Sequence, residues 1–275
     1  MNDRPSLAEL RDRVFKHSGT NRPEQGNWLA RRVGRPSAIY GTWVVSRTKL
    51  PAHAVTLAAL IANTLGAVGI GSGTRLGFVG GVFGLMVGYW LDHVDGQVAR
   101  WRGTSSLTGV YFDYLLHHAT ALMLGFALGF GLTARGESVL WSLLGFAIAV
   151  GWTGLNLHND CMYKAMFTQL KRERRVLRVN LGDQERWSSP SSWPKNGPGV
   201  FTWPMAKLCE PHVVLMGLCG LMVAAVLWPV LWFIVWKLGV VLMAMIAPVI
   251  AIGRVSKSIL RREPDREFDR VFRPN

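Results

Sequence analysis

Three aspartates and a histidine stand where their spacing could gather them into one cluster. The stretch reads Asp92-His93-Val94-Asp95-Gly96-Gln97-Val98-Ala99-Arg100 and continues, after a short gap, as Gly109-Val110-Tyr111-Phe112-Asp113-Tyr114-Leu115-Leu116-His117. On a helix, residues three or four apart share a face, with Cβ atoms about 5–6 Å apart. Asp92 and Asp95 are three apart, and Asp113 and His117 are four apart. Two antiparallel helices joined by a short loop would set both pairs at one depth, giving three carboxylates and one imidazole. Hard oxygen ligands suit Mg²⁺ or Mn²⁺, which also bind substrate phosphates. Two such ions about 3.5–4 Å apart would polarise a diphosphate and stabilise its leaving group.

The neighbours fit that chemistry. Gly96 and Ala99 are small, so a substrate could approach the helix backbone. Arg100 and Arg102 stand where a phosphate would emerge. Gly109 would let the two helices pack tightly. The apolar runs on either side raise the stakes, because a carboxylate at mid-bilayer costs roughly 2.5–3.5 kcal/mol. A bound cation is the simplest offset.

The elements that must position these residues are membrane spans. Of the 275 residues 49% are hydrophobic and only 17% charged, a balance rare in soluble domains. The expected fold is all-α and integral to the membrane, with six transmembrane helices of about 17–25 residues. They run from Ala52 to about Gly71, Leu76 to Val98, Leu107 to Thr133 and Val139 to Leu157. The last two share His212 to Gly253, divided around Trp228 to Lys237. Asp92 and Asp95 fall in the last turns of the second span, and Asp113 and His117 in the first turns of the third.

Charge supports this topology. Ten Lys and Arg lie in the segment up to Lys49, two between the second and third spans, nine between the fourth and fifth, and seven from Arg254 onward; the other side holds only Arg75, Arg135 and Lys237. By the positive-inside rule both termini are cytoplasmic, and the site lies at the cytoplasmic end of its two spans. The expected setting is a multi-pass protein of a bacterial cytoplasmic membrane. Trp28 to Val45 mixes aromatics with arginines, as an amphipathic helix lying on the inner leaflet does. The organisation is then a cytoplasmic segment 1–50 carrying that helix, a six-span domain 51–256 with a cytoplasmic loop 158–210, and a tail 257–275. Within the loop, Lys164 to Arg178 is basic and Ser188 to Pro204 is rich in Ser, Pro and Trp.

Other classes are excluded or disfavoured. The net charge of +14 and basic pI follow membrane topology, and no nucleic-acid recognition motif is present. Cys161, Cys209 and Cys219 are odd in number and form no Cys-x-x-Cys pair, which argues against a disulfide framework or zinc knuckle. The N-terminus lacks the apolar core and cleavage site of a signal peptide, so insertion would rely on the first internal span. A transporter would use intramembrane aspartates for ion coupling, but no inverted repeat or broken helix supports one.

The pattern resembles the CDP-alcohol phosphotransferase (CDP-alcohol phosphatidyltransferase) family, marked by Asp-x-x-Asp-Gly-x-x-Ala-Arg, a short gap, and Gly-x-x-x-Asp-x-x-x-Asp. Asp92, Asp95, Gly96, Ala99, Arg100, Gly109 and Asp113 match in register, seven of the eight signature positions. The resemblance implies that a CDP-linked lipid or alcohol, such as CDP-diacylglycerol, binds with its diphosphate on two metal ions. The hydroxyl of an acceptor alcohol attacks the β-phosphorus, and CMP leaves. It also implies that Asp92, Asp95 and Asp113 are metal ligands, that Asp92, Gly96, Ala99, Arg100 and Thr56 lie by the CDP moiety, and that the protein is a homodimer in the bilayer.

The eighth position, an aspartate taken in the family as catalytic base, is His117. A histidine can act as base or as ligand, since its side chain titrates near neutrality. It removes one negative charge from the cluster, which weakens Mg²⁺ binding and favours softer Mn²⁺. It also admits a second reading, a catalytically impaired member that keeps a metal and nucleotide site. His118 points about 100° away on the helix and is a poor substitute. Many family members carry Pro-Asn-x-x-Thr before the first span; here Thr56 fits and His53 replaces the asparagine. His93 is turned from the aspartate face, and His158 and His212 mark membrane boundaries.

Overall fold

The computed structural model describes residues 5–15, 27–173 and 199–272. Among them there is no strand. The Ser188–Pro204 loop expected from sequence lies largely outside the described residues.

Among the described residues ten α-helices follow one another: α1 Leu7–Phe15, α2 Arg35–Ser46, α3 Ala52–Gly71, α4 Arg75–Arg102, α5 Leu107–Ala134, α6 Leu140–Glu173, α7 Gly199–Leu208, α8 Pro211–Leu227, α9 Pro229–Leu260 and α10 Glu263–Phe272. A π-helical turn, Ala30–Gly34, runs directly into α2. Six helices close a circuit in which α3 packs on α4, α4 on α8, α8 on α9, α9 on α6, α6 on α5, and α5 back on α3.

By length and composition, α3, α5, α6 and α9 can each cross a membrane; α7 and α8, bent by 66°, make up to five candidates if counted as one span. Helix α4 is not among them; its second half carries the polar and charged residues Asp92, His93, Asp95, Gln97, Arg100 and Arg102. Helix α8 has only 17 residues.

Local signals account for the boundaries. Thr74 caps α4, its hydroxyl accepting from Gly77 N–H at 3.0 Å. Gly103 ends α4 in the left-handed region at φ 65°, which a glycine adopts without steric cost. Ser106 then caps α5 by accepting from Gly109 N–H at 3.1 Å, so the link between the two site helices is only four residues. Trp228 breaks α8 from α9, with Pro229 placed at the first turn of the new helix. The division expected across Trp228 to Lys237 is thus a single residue. The helix expected to end near Leu157 instead runs on to Glu173, so the first part of the anticipated 158–210 loop is helical, as is Gly199–Leu208.

The α3–α4 contact is a glycine seam. An added Cβ on Gly81 would lie 2.6 Å from the Gly66 carbonyl oxygen and 2.7 Å from Ile70 N, and one on Gly69 would lie 2.7 Å from the Gly77 carbonyl. Gly77, Gly81, Gly84 and Gly88 recur every three or four residues along one face of α4. Backbones this close pack without side chains between them, the small-residue mode favoured in membranes. At the far end from the site, Phe78, Trp232 and Trp236 cluster, with Phe78–Trp236 centroids 4.9 Å apart, and Trp236 donates to the Leu128 carbonyl at 3.1 Å. The three basic residues of this end are all engaged: Arg75 with the Val226 carbonyl, Arg135 with that of Gly73, and Lys237 with Glu137.

The terminal helices dock on this frame. Ser6 and Glu9 form a capping box at α1, and Leu10 and Val14 pack against Ile39. Helix α10 returns along α6 and α9, held by Glu263, which accepts from Ser258 at 2.5 Å and pairs with Lys257 at 2.9 Å. Burial would raise the Glu263 carboxyl, but the Ser258 and Lys257 hydrogen bonds and the nearby positive charge outweigh it and hold its pKa below 4.5. A depressed carboxylate stabilises the folded form above its unfolded value and loses that contribution as pH falls through the folded one. Helix α10 should therefore stay docked from neutral pH to about 4.5 and loosen only below, an effect that hydrogen exchange of residues 263–272, corrected for intrinsic rate, would show. Glu263→Gln should remove that pH dependence.

A carboxylate and imidazole cluster between two splayed helices

The site lies between the facing ends of α4 and α5. These helices do not pack closely on each other; α3 packs against both and acts as their spacer. The result is a cleft floored by the start of α3.

Asp92 from α4 meets Asp113 and His117 from α5. One ligand atom from each lies within 4.8 Å of the others. His117 Nε2 is 3.4 Å from Asp113 Oδ1 and 4.0 Å from Asp92 Oδ1. The Asp92 side chain is 15% exposed, against 45% for Asp113 and 49% for His117, so the cluster runs from a buried α4 wall to an open α5 wall.

Asp95, expected as a fourth ligand, stands one turn along α4 in hydrogen-bonding reach of Thr56. It belongs to the same acidic surroundings but not to the tight three-residue group. Thr56, buried on α3, thereby ties the floor of the cleft to α4. Gly96 and Ala99 follow on α4, both partly exposed. The Arg100 guanidinium folds over Gly96, where an added Cβ would be 3.3 Å from Nη1, and is close enough to Asp95 to act on it electrostatically.

The donor set fits a divalent cation. Asp92 Oδ1 is buried and has no hydrogen-bond partner among the described residues, and it faces a second carboxylate and an imidazole nitrogen. Such an arrangement leaves negative charge uncompensated at a buried atom. Oxygen ligands with one imidazole suit Mg²⁺ or Mn²⁺.

Two expectations need correction. Gly109 forms no tight seam: an added Cβ would make only ordinary contacts, 3.5 Å from His53 Cε1 and from Ser106 Oγ. The close packing belongs to α3 and α4, and Gly109 instead supplies the N–H that Ser106 caps. Arg102 does not await a phosphate. Its guanidinium donates to the carbonyls of Val45 at 3.0 Å, Thr48 at 2.8 Å and Leu50, closing the end of α2.

The remaining histidines separate clearly. His53 is exposed at the cleft mouth opposite Gly109. His93 packs against Gly34 and edge-on to Tyr89, with centroids 4.7 Å apart. His118 turns to α6, its Nε2 3.1 Å from Asp160 and its Nδ1 2.8 Å from the Tyr114 carbonyl. His158 lies 3.4 Å from Ser258 Oγ, and His212 3.5 Å from Glu210.

Sequence reasoning missed the residues that brace the site. Gln97 is fully buried, accepts from Thr42 Oγ1 at 2.9 Å and donates to the Arg35 carbonyl at 2.9 Å. A polar residue between Gly96 and Val98 on the face away from the aspartates was the available signal. Asn63 on α3 donates to Thr120 on α5 at 3.1 Å and packs against Gly88 on α4, joining all three helices below the cleft. Gln97→Leu keeps the volume but removes both bonds to α2, and should cost about 1–3 kcal/mol. The lower midpoint would be read by thermal unfolding in detergent.

Residues 49–171 match the model of the CDP-alcohol phosphatidyltransferase family. The matched segment holds α3, α4, α5 and most of α6, and with them the whole cleft. No curated protein matches the chain.

Proposed function

From the match of residues 49–171 to the CDP-alcohol phosphatidyltransferase family model, we propose that this protein transfers a substituted phosphate from a CDP-linked lipid or alcohol to an acceptor alcohol, releasing CMP. The observation that carries this reading is the meeting of Asp92, Asp113 and His117 within 4.8 Å beside Gly96 and Arg100.

Asp92 and Asp113 would hold a divalent cation, with Asp95 one turn away. When bound, Mg²⁺ or Mn²⁺ supplies positive charge to the diphosphate and to the departing CMP. Gly96 and Ala99 put little side chain between the α4 backbone and the nucleotide, and Arg100, folded over Gly96, offers a guanidinium to a phosphate oxygen. His117 Nε2 takes the proton of the acceptor hydroxyl as its oxygen bonds to the β-phosphorus. The bond from that phosphorus to the oxygen bridging to CMP breaks, and CMP carries off the electron pair. Asp113, 3.4 Å from Nε2, stabilises the imidazolium that forms.

The helical circuit supports six membrane-crossing helices, with α4 and α8 included because they complete it. The distribution of Lys and Arg supports cytoplasmic termini and a cleft opening at the inner surface. The helix Ala30–Ser46 fits an inner-leaflet position, with Trp28, Val33, Tyr40 and Val44 exposed. CDP-diacylglycerol is the natural donor to test first, and a homodimer follows from the family resemblance.

The test is CMP release from CDP-diacylglycerol paired with a panel of alcohols, in Mg²⁺ and in Mn²⁺. Release with at least one acceptor supports transfer; none with any pair contradicts it. His117→Asp sharpens the reading. If His117 is the working base, this change should lower an existing activity, and His117→Asn, which leaves no base there, should lower it by about 10²–10⁴-fold, the usual contribution of acid–base catalysis. Activity rising from zero would instead identify the wild-type chain as a catalytically impaired member that retains the site.

A further inference from the structure

A second cavity lies away from the α4–α5 cleft. About 500 Å³ in volume, it sits between α6, α9 and the returning α10. Its lining is largely apolar, with Leu157, Met162, Val255 and Ile259 prominent. The volume falls within the range of small-molecule sites, about 300–1,000 Å³. Two of its walls, α6 and α9, are helices long and apolar enough to cross a membrane. Leu157 is 53% exposed and Ile259 70% exposed, so apolar side chains on the cavity's lining are left uncovered.

The lining also carries an arginine. Arg262 lines the cavity, and Arg254, Arg261 and Arg266 lie in the same short segment. Glu263 is already engaged by Lys257 and Ser258, leaving Asp265 as the acidic side chain on the lining. Arg262 also holds φ 49°. A left-handed backbone is uncommon for a residue with a Cβ and is kept where surrounding structure requires it. Here it folds α10 back over the cavity and directs an arginine to its edge.

We propose that this cavity binds one anionic phospholipid from the surrounding bilayer, an acyl chain between α6 and α9 and the phosphate against Arg262. Apolar walls accept the chain, and a guanidinium matches the phosphate. The cavity shares no lining residue with the Asp92, Asp113 and His117 cluster, and its α9 and α10 walls lie outside residues 49–171. It rests on the same membrane placement but not on catalysis.

Native mass spectrometry of the full-length protein in detergent, with phosphatidylglycerol and phosphatidylcholine offered in equal amounts, tests this. The wild type should retain one phosphatidylglycerol with about tenfold preference. Arg262→Gly removes the guanidinium while suiting the left-handed backbone, so the protein should fold and lose that preference. Gly154→Phe fills the cavity and should lose retention of both lipids, whereas Asp113→Asn should leave retention unchanged. Equal retention of the two lipids by wild type, unchanged preference in Arg262→Gly, or unchanged retention in Gly154→Phe would each overturn the proposal. The readout is lipid retention, so absence of CMP release would contradict the transfer reading and leave this one standing.

Discussion

Asp113→Asn should lower CMP release by about 10²–10³-fold, the scale on which a preorganised electrostatic contact to the reacting groups acts. The change keeps the side chain's size and removes its charge. Asp113 is half-exposed, so nothing in the core depends on it, and α5 should fold as before. It lies 3.4 Å from His117 and within ligand distance of Asp92. The loss would come from weaker cation holding and from an imidazolium with no carboxylate beside it. Asp92→Asn should be as damaging, because its Oδ1 is buried with no hydrogen-bond partner among the described residues. Steady-state CMP release over a range of Mn²⁺ concentrations would separate the two effects: weaker cation binding is restored by more metal, and loss of proton handling is not. Full activity in both variants would remove the cluster from the reaction.

Gly81→Val should prevent the membrane domain from assembling. Its Cβ would lie 2.6 Å from the Gly66 carbonyl oxygen and 2.7 Å from Ile70 N. Both are backbone atoms, which cannot swing aside as a flexible side-chain tip can. The two methyl groups beyond that Cβ would force α3 and α4 apart, a strain of about 1–3 kcal/mol or more in a packed core. Separating them also pulls Thr56 from Asp95 and Asn63 from its packing on Gly88, so the site should fail with the fold. Gly80→Val, one residue away, meets nothing within 4 Å and serves as the control. Fluorescence-detected size exclusion of the two variants would show loss of the monodisperse peak for Gly81→Val alone.

The chemistry of the site was legible because helical periodicity places Asp92 with Asp95 and Asp113 with His117. What periodicity cannot give is the distance between two helices. Sequence suggested that the site helices pack together through Gly109; α3 instead spaces them, and the cleft exists because they are held apart. That spacing also leaves Asp95 beside Thr56 rather than in the tight group. The glycine signal was present, four glycines at three- and four-residue intervals in α4, but it points to α3 rather than α5. Arg102 was misread for a physical reason: an arginine near a phosphate site and an arginine capping a helix end look alike until the carbonyls of Val45, Thr48 and Leu50 are located. The length of α6 was hidden because hydropathy reports where a helix can sit in lipid. Backbone hydrogen bonding continues past Leu157 to Glu173 whether or not lipid does.

Manganese binding measured by electron paramagnetic resonance on the purified protein, before any substrate is added, tests the site most directly. Saturable Mn²⁺ binding is expected in the wild type, weakened at least about tenfold by Asp92→Asn and by Asp113→Asn, and left intact by His118→Gln, whose side chain faces α6. Equal binding by the wild type and both aspartate variants, or no saturable binding at all, would contradict a cation site there.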